Sequence, residues 1–162
     1  MNRKVEFLVM DVDGTLTDGK IYMGPNGEAM KAFDIKDGYG IHDMLIPSGI
    51  YPVIITGRTS TIVERRCKEL GIDFLFQGVK DKVNVLMDFL KERNSELSRV
   101  AYIGDDLNDM GCMNVVLSAG GIIGCPANAV ESVKSKATFV SKHDGGNGAV
   151  RDFIEYIIST IE

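Results

Sequence analysis

Short runs of consecutive apolar residues recur along the chain, separated by stretches with helical periodicity. Residues 6–10 (EFLVM), 51–56 (YPVIIT), 73–76 (DFLF), 99–104 (RVAYIG), 115–119 (VVLSA) and 137–141 (ATFVS) have the length and β-propensity of strands. A strand that is apolar on successive positions must be covered on both faces, the condition of a parallel sheet between helices. The stretch TSTIVERRCKELG places Val63, Cys67 and Leu70 on one stripe. Its Thr61 and Glu64 have capping-box spacing, and Gly71 follows as a stop. A second stripe holds Val83, Leu86, Met87 and Leu90, and a third holds Val150, Phe153, Ile154, Ile157, Ile158 and Ile161. Alternating strands and helices with right-handed crossovers predict an α/β fold, a Rossmann-like three-layer sandwich around a parallel sheet. The length of 162 residues suggests one domain, residues 1–162.

One segment interrupts the alternation. Residues 20–35, KIYMGPNGEAMKAFDI, carry a tight-turn sequence, GPNG, between residues of high β-propensity, which predicts a small β-hairpin inserted after the first strand. A lone two-stranded hairpin is marginal in water. Ile21, Met23, Met30 and Phe33 therefore need a surface to cover, either a neighbouring subunit or the chain's own sheet.

Charge and composition narrow the partners. The net charge of −5 and the lack of a long basic run argue against nucleic acid or an anionic membrane as a partner. Cys67, Cys112 and Cys125 are odd in number and widely spaced, which fits reduced thiols in a cytoplasmic protein. The apolar run after the basic start MNRK is too short for a signal peptide or a membrane span.

In a parallel sheet the strand ends share one edge, and ligands bind beyond them. Here those ends deliver Asp11 and Asp13 from the first strand, then Thr56, Gly57 and Arg58 from ITGR. GDDLND adds Asp105, Asp106 and Asp109, and Lys82 opens a helix nearby. Clustered carboxylates repel one another, and a divalent cation relieves the repulsion. Asp11, Asp105 and a main-chain carbonyl are hard oxygen ligands suited to Mg²⁺. Thr56 offers a hydroxyl and Lys82 a point charge to a phosphate, and the turn at Gly14 and Thr15 offers main-chain N–H groups. The set suggests phosphoryl transfer to Asp11, with Asp13 as acid and base. Lys80 rivals Lys82. Asp109 orients Lys82 or a metal-bound water, or lies on a helix surface. Arg58 is a surface residue, a phosphate contact or a reader of the substrate. Asp106 reads as a turn or N-cap residue. HDGGNGAV is either a linker or a phosphate site at the last helix. His42 and His143 show no partner.

DVDGT, IITGR, Lys82 and GDDLND, in this order, resemble the four motifs of the haloacid dehalogenase superfamily of phosphatases. The resemblance implies Asp11 as nucleophile and Asp13 as acid/base, and it favours Lys82 over Lys80. It also implies Mg²⁺ held by Asp11, the carbonyl of Asp13, and Asp105. The short chain, DGTLTDG, the hairpin and GGNGAVRDF look like the capless group. That group includes phosphatases of 3-deoxy-D-manno-octulosonate (KDO) 8-phosphate, and the resemblance places the chain in lipopolysaccharide biosynthesis. It further implies a homotetramer whose hairpins and C-terminal tails complete neighbouring sites. Arg58 leans toward the eight-carbon substrate, because some relatives acting on nine-carbon sugar acid 9-phosphates (KDN or N-acetylneuraminate) carry Glu there. Two other readings compete: a non-catalytic domain related to acylneuraminate cytidylyltransferases, and a phospho-receiver. The first predicts loss of Asp11 or Asp13, and the second lacks DxDGT followed by a hairpin.

Overall fold

The computed structural model describes residues 5–161, so the basic start at residues 1–4 lies outside the described residues. The strand β1 (Phe7–Met10) is buried along its whole length. Its side chains alternate between two cores: Leu8 and Met10 join one, Phe7 and Val9 the other. That two-sided burial is why four apolar residues stand in succession. After β1 comes a hairpin of β2 (Tyr22–Gly24) and β3 (Gly27–Met30). The helix α1 (Ile35–Tyr39) follows and continues into a wider turn over Gly40–Leu45.

The remaining elements are β4 (Tyr51–Ile55), α2 (Thr61–Leu70), β5 (Phe74–Phe76), α3 (Lys82–Glu92), β6 (Val100–Ile103), α4 (Met110–Ser118), β7 (Ile122–Cys125), α5 (Glu131–Lys134), β8 (Phe139–Val140) and α6 (Ala149–Ile161). The six-stranded sheet has the order β5-β4-β1-β6-β7-β8 and every pair in it is parallel. Ile41, Val63, Cys67, Phe153 and Ile157 pack one face, bringing α2 and α6 onto it. Leu86, Phe89, Met113, Val116 and Val133 pack the other, bringing α3, α4 and α5. The chain order reverses at β1, between β4 and β6, which opens a crevice at the carboxyl ends of these strands. Met10 pairs with both Ile54 and Ile103, so the residues after each strand emerge side by side.

Several sequence expectations need correction. Residues 115–119 are not a strand; Val115–Ser118 end α4, where Cys112, Met113 and Val116 are buried at helical spacing. The sheet position belongs to β7, whose Gly124 hides its strand character. A Cβ at Gly124 would lie 2.7 Å from the Phe153 ring, so the helix α6 packs directly on bare backbone there. The capping box at Thr61 and Glu64 does not form: Ser60 is the N-cap, and its hydroxyl goes to Glu28 instead. On α3, Met87 is exposed and Phe89 takes its place in the core. The hairpin is a separate two-stranded sheet, and it leaves Ile21, Met23 and Met30 at 44%, 67% and 57% exposure. Phe33 alone of the four turns inward, beneath the Arg66 guanidinium at 5.7 Å.

Candidate active site

Asp11, the residue after β1, is buried, and the backbone then folds tightly. The Val12 carbonyl accepts the N–H groups of Thr15, Leu16 and Thr17, at 3.1, 2.9 and 3.1 Å. Gly14 adopts a left-handed φ of 87°, and a Cβ there would lie 2.0 Å from Asp105 Oδ2. The glycine of DVDGT is thus required twice, by the turn and by the carboxylate pressed against it. Thr15 donates its hydroxyl to the other oxygen, Asp105 Oδ1, at 3.2 Å. The Gly14 N–H goes to Thr17 Oγ1 and the Thr15 N–H to Val12, so neither faces the cleft as the sequence suggested.

Carboxylate oxygens of Asp11, Asp105 and Asp109 lie within 4.8 Å of one another. Lys82, the first residue of α3, reaches in from the other side with a buried side chain. Its ammonium lies 3.0 Å from Asp11 Oδ1 and 3.0 Å from Asp109 Oδ1. Lys80 is exposed. Asp109 is fully buried and gathers four donors: Lys82, the Tyr102 hydroxyl at 2.7 Å, and the N–H groups of Asp105 and Asp106 at 3.0 and 3.3 Å. Asp106 caps the short turn that carries Asp109.

One ammonium against three acids leaves the cluster short of positive charge. Burial, then repulsion from Asp109, pushes the Asp11 carboxyl up to about 6, with Lys82 opposing. Burial, then Asp11 and Asp109, pushes Asp105 up to about 8. Burial works against the Lys82 charge, but Asp11 and Asp109 outweigh it and hold the ammonium above its ordinary value. Hard oxygen donors this close, with their charge incompletely balanced, fit a divalent cation such as Mg²⁺.

Asp13 is not one of these three acids, and it pairs with Lys31 at 2.6 Å. Thr56 is buried at the end of β4. At Gly57 an added Cβ would meet only the Val79 carbonyl, at 3.6 Å, so space alone does not demand glycine there. Arg58 is half-exposed and pairs with Glu28 of the hairpin at 3.3 Å. The segment HDGGNGAV does not behave as a free linker. Gly145 and Gly146 press on residues 14–18, with the Gly146 N–H donated to the Thr15 carbonyl at 3.1 Å. The start of α6 is occupied by Asp37, which accepts the Arg151 N–H at 2.9 Å, where one of the two sequence readings put a phosphate.

Sequence reasoning missed Glu28, Lys31 and Tyr102. Tyr102 had a usable signal: a tyrosine inside a buried strand needs an acceptor for its hydroxyl. Two opposite charges, one in an otherwise apolar hairpin strand and one just past it, were the signal for Glu28 and Lys31.

An acid cluster with a lysine at the switch point of a parallel α/β sheet belongs to a known class. The chain is a member of the haloacid dehalogenase-like hydrolase family, whose sequence pattern matches residues 74–154. It is 42% identical over 154 residues to the 3-deoxy-D-manno-octulosonate 8-phosphate phosphatase KdsC of Escherichia coli (strain K12), covering 95% of this chain and 79% of that protein. The crystal structure of the 3-deoxy-D-manno-octulosonate 8-phosphate phosphatase from Yersinia pestis matches with a TM-score of 0.92 and 41% identity, over 99% of this chain and 84% of that one. The same enzyme from Moraxella catarrhalis, in complex with magnesium, phosphate and KDO, matches with a TM-score of 0.90 and 40% identity, over 98% and 88% of the two chains. Among the described residues no helix is long and apolar enough to cross a membrane.

Proposed function

We propose that this chain is a Mg²⁺-dependent phosphomonoesterase that hydrolyses KDO 8-phosphate to KDO and inorganic phosphate. The observation that carries the reading is the buried Asp11, held 3.0 Å from Lys82 and beside Asp105 at the switch point. Identity to phosphatases of that substrate over nearly the whole chain supports it.

In this reading a carboxylate oxygen of Asp11 attacks phosphorus, and the bond from phosphorus to the substrate's ester oxygen breaks. Asp13 gives its proton to that departing oxygen. It then takes a proton from the water that attacks the aspartyl-phosphate, which releases phosphate and restores Asp11. Lys82 holds a phosphoryl oxygen and offsets its charge, Thr56 donates to another, and Asp109 orients Lys82. Mg²⁺, held by the Asp11 and Asp105 carboxylates and the Asp13 carbonyl, supplies further charge neutralisation on the phosphoryl group. Gly57 lets the backbone pass close to the phosphate, and Arg58 reads the substrate's acid group. The exposed apolar residues of the hairpin support a homotetramer in which each hairpin covers a neighbour's site. The three free buried cysteines support a cytoplasmic setting. Likeness to KDO 8-phosphate phosphatases supports a role in lipopolysaccharide biosynthesis.

The test is phosphate release from KDO 8-phosphate, KDN 9-phosphate, N-acetylneuraminate 9-phosphate and simple sugar phosphates. The reading expects kcat/KM for KDO 8-phosphate to lead by at least about tenfold, or about 1.4 kcal/mol of transition-state discrimination. A lead by a nine-carbon 9-phosphate overturns the substrate. Turnover by Asp11→Asn at the wild-type rate overturns the covalent step, and a fully active monomer by light scattering overturns the shared site.

A further inference from the structure

Lys31, just past β3, has a side chain only 2% exposed, and its ammonium lies 2.6 Å from Asp13 Oδ1 and 3.1 Å from Glu28 Oε2. A buried ammonium must be fully paired, and here both partners are carboxylates. Glu28 is itself fixed from the far side. Its Oε1 accepts the Ser60 hydroxyl at 2.9 Å, and its Oε2 lies 3.3 Å from Arg58. Burial works against the Glu28 charge, but Lys31, Ser60 and Arg58 outweigh it and hold its carboxyl below the usual range. The hairpin is thereby tied at one end to Asp13, in the turn after β1, and at the other to the loop after β4.

We propose that Lys31 is a positioning residue for Asp13, with Glu28 as the brace that fixes Lys31. The inference rests on the reading of Asp13 as the acid/base group. Asp13 stands on a turn, in a side chain that is 22% exposed, with several rotamers open to it. An ion pair to Oδ1 removes most of that freedom and leaves Oδ2 to meet the departing oxygen. A proton donor acts only from within hydrogen-bond reach, so a loosened Asp13 loses effect even when the residue is intact. The brace to Arg58 gives the hairpin a second role: a substrate group that binds Arg58 competes with Glu28, so binding is felt at Lys31.

The experiment is kcat/KM for a series of phosphate monoesters running from p-nitrophenyl to alkyl leaving groups. This ratio reports the step in which the alcohol leaves. A p-nitrophenolate leaves without a proton, whereas an alkoxide does not. For Lys31→Met, the loss is expected to be at least about tenfold with alkyl esters and less than about threefold with p-nitrophenyl phosphate. Lys31→Arg should restore most of the alkyl-ester rate, and Glu28→Gln should show the same selectivity at smaller size. A uniform loss across the series, or none, overturns the positioning role, because a general packing defect does not sort by leaving group. Asp13→Asn in the same assay separates the two readings. If it shows the selective loss and Lys31→Met does not, the inference fails alone. If Asp13→Asn shows no selectivity, the acid/base reading fails and takes the inference with it.

Discussion

Tyr102 donates its hydroxyl to Asp109 across 2.7 Å, from a completely buried position on β6. The contact joins the apolar core to the charged cluster, because Tyr102 packs among Val9, Val53 and Met113 while its oxygen reaches the carboxylate that holds Lys82. Burial, then the Asp109 charge, drives the phenol well above its ordinary value, so the hydroxyl stays a donor at every working pH. Tyr102→Phe keeps the ring and removes one of the donors on Asp109. Hydrogen bonds to charged groups contribute about 1.5–3 kcal/mol. We expect a stability loss of about 2 kcal/mol by urea denaturation, with a several-fold fall in kcat. An unchanged midpoint together with unchanged kcat would show that Lys82 and the backbone hold Asp109 alone.

The pH dependence of stability follows from Asp105 and Asp11, raised from 3.8 to about 8 and about 6. Both carboxyls hold their proton more tightly in the folded chain than in the unfolded one. Their contribution to stability is therefore fully present below the unfolded value of 3.8, and it is lost as pH rises through about 6 and about 8. Metal-free protein should lose Tm between pH 5 and pH 8. Mg²⁺ needs the ionised carboxylates, so its stabilising effect should grow over the same range. Calorimetric titration at pH 7 in two buffers of different ionisation enthalpy should register release of about one proton per Mg²⁺ bound. A Mg²⁺-induced Tm shift of equal size at pH 5.5 and pH 8 would contradict this account.

Two glycines near the site should respond in opposite ways. A Cβ at Gly145 would lie 1.9 Å from the Gly14 carbonyl oxygen, which has no room to move without displacing the turn beneath Asp105. Gly145→Ala should cost about 3 kcal/mol or weaken Mg²⁺ binding as the turn shifts. At Gly57 the added methyl makes an ordinary contact, at 3.6 Å, so Gly57→Ala should hold its stability within about 0.5 kcal/mol. Thermal melts of both variants, with and without Mg²⁺, decide the matter; equal losses would mean that the glycine loop does not brace the turn.

The strand ends were legible because chemistry and burial meet there in a short stretch of sequence. Apolar runs on successive positions marked β1, β4 and β6, and they are followed by Asp11, by Thr56 and, after one glycine, by Asp105. Contacts between distant segments were not legible. Nothing local to Lys31 says that it meets Asp13, and nothing in GGNG says that it lies on residues 14–18. The strand misplaced onto residues 115–119 has a related cause. Val115 and Val116 have strong β-propensity, yet only Val116 is buried, and the real strand, β7, is masked by a glycine that makes room for Phe153. The same limit applies to Asp37, whose partner lies more than a hundred residues along the chain.

Asp37 sits on α1 with a buried carboxylate that accepts the Arg151 N–H at the start of α6, while its Oδ2 has no hydrogen-bond partner among the described residues. An acid at a helix N-terminus is normally favoured. Here burial outweighs the donated N–H, and the nearby Asp34 adds repulsion, so the carboxyl rises from 3.8 to about 6. Its stabilising contribution is present below 3.8 and lost as pH climbs through about 6. Asp37→Asn keeps an acceptor in the same place and cannot ionise. The variant should be at least as stable as the wild type at pH 5, and its lead should grow by about 1–2 kcal/mol between pH 5 and pH 8. Asp37→Ala, which removes the acceptor, should be less stable than Asp37→Asn at both values by about 1 kcal/mol. Urea unfolding of the three proteins at pH 5 and pH 8 checks the pattern. A wild-type protein more stable than Asp37→Asn at pH 8 would mean that the ionised carboxylate is the favoured form at the start of α6, contrary to the burial argument.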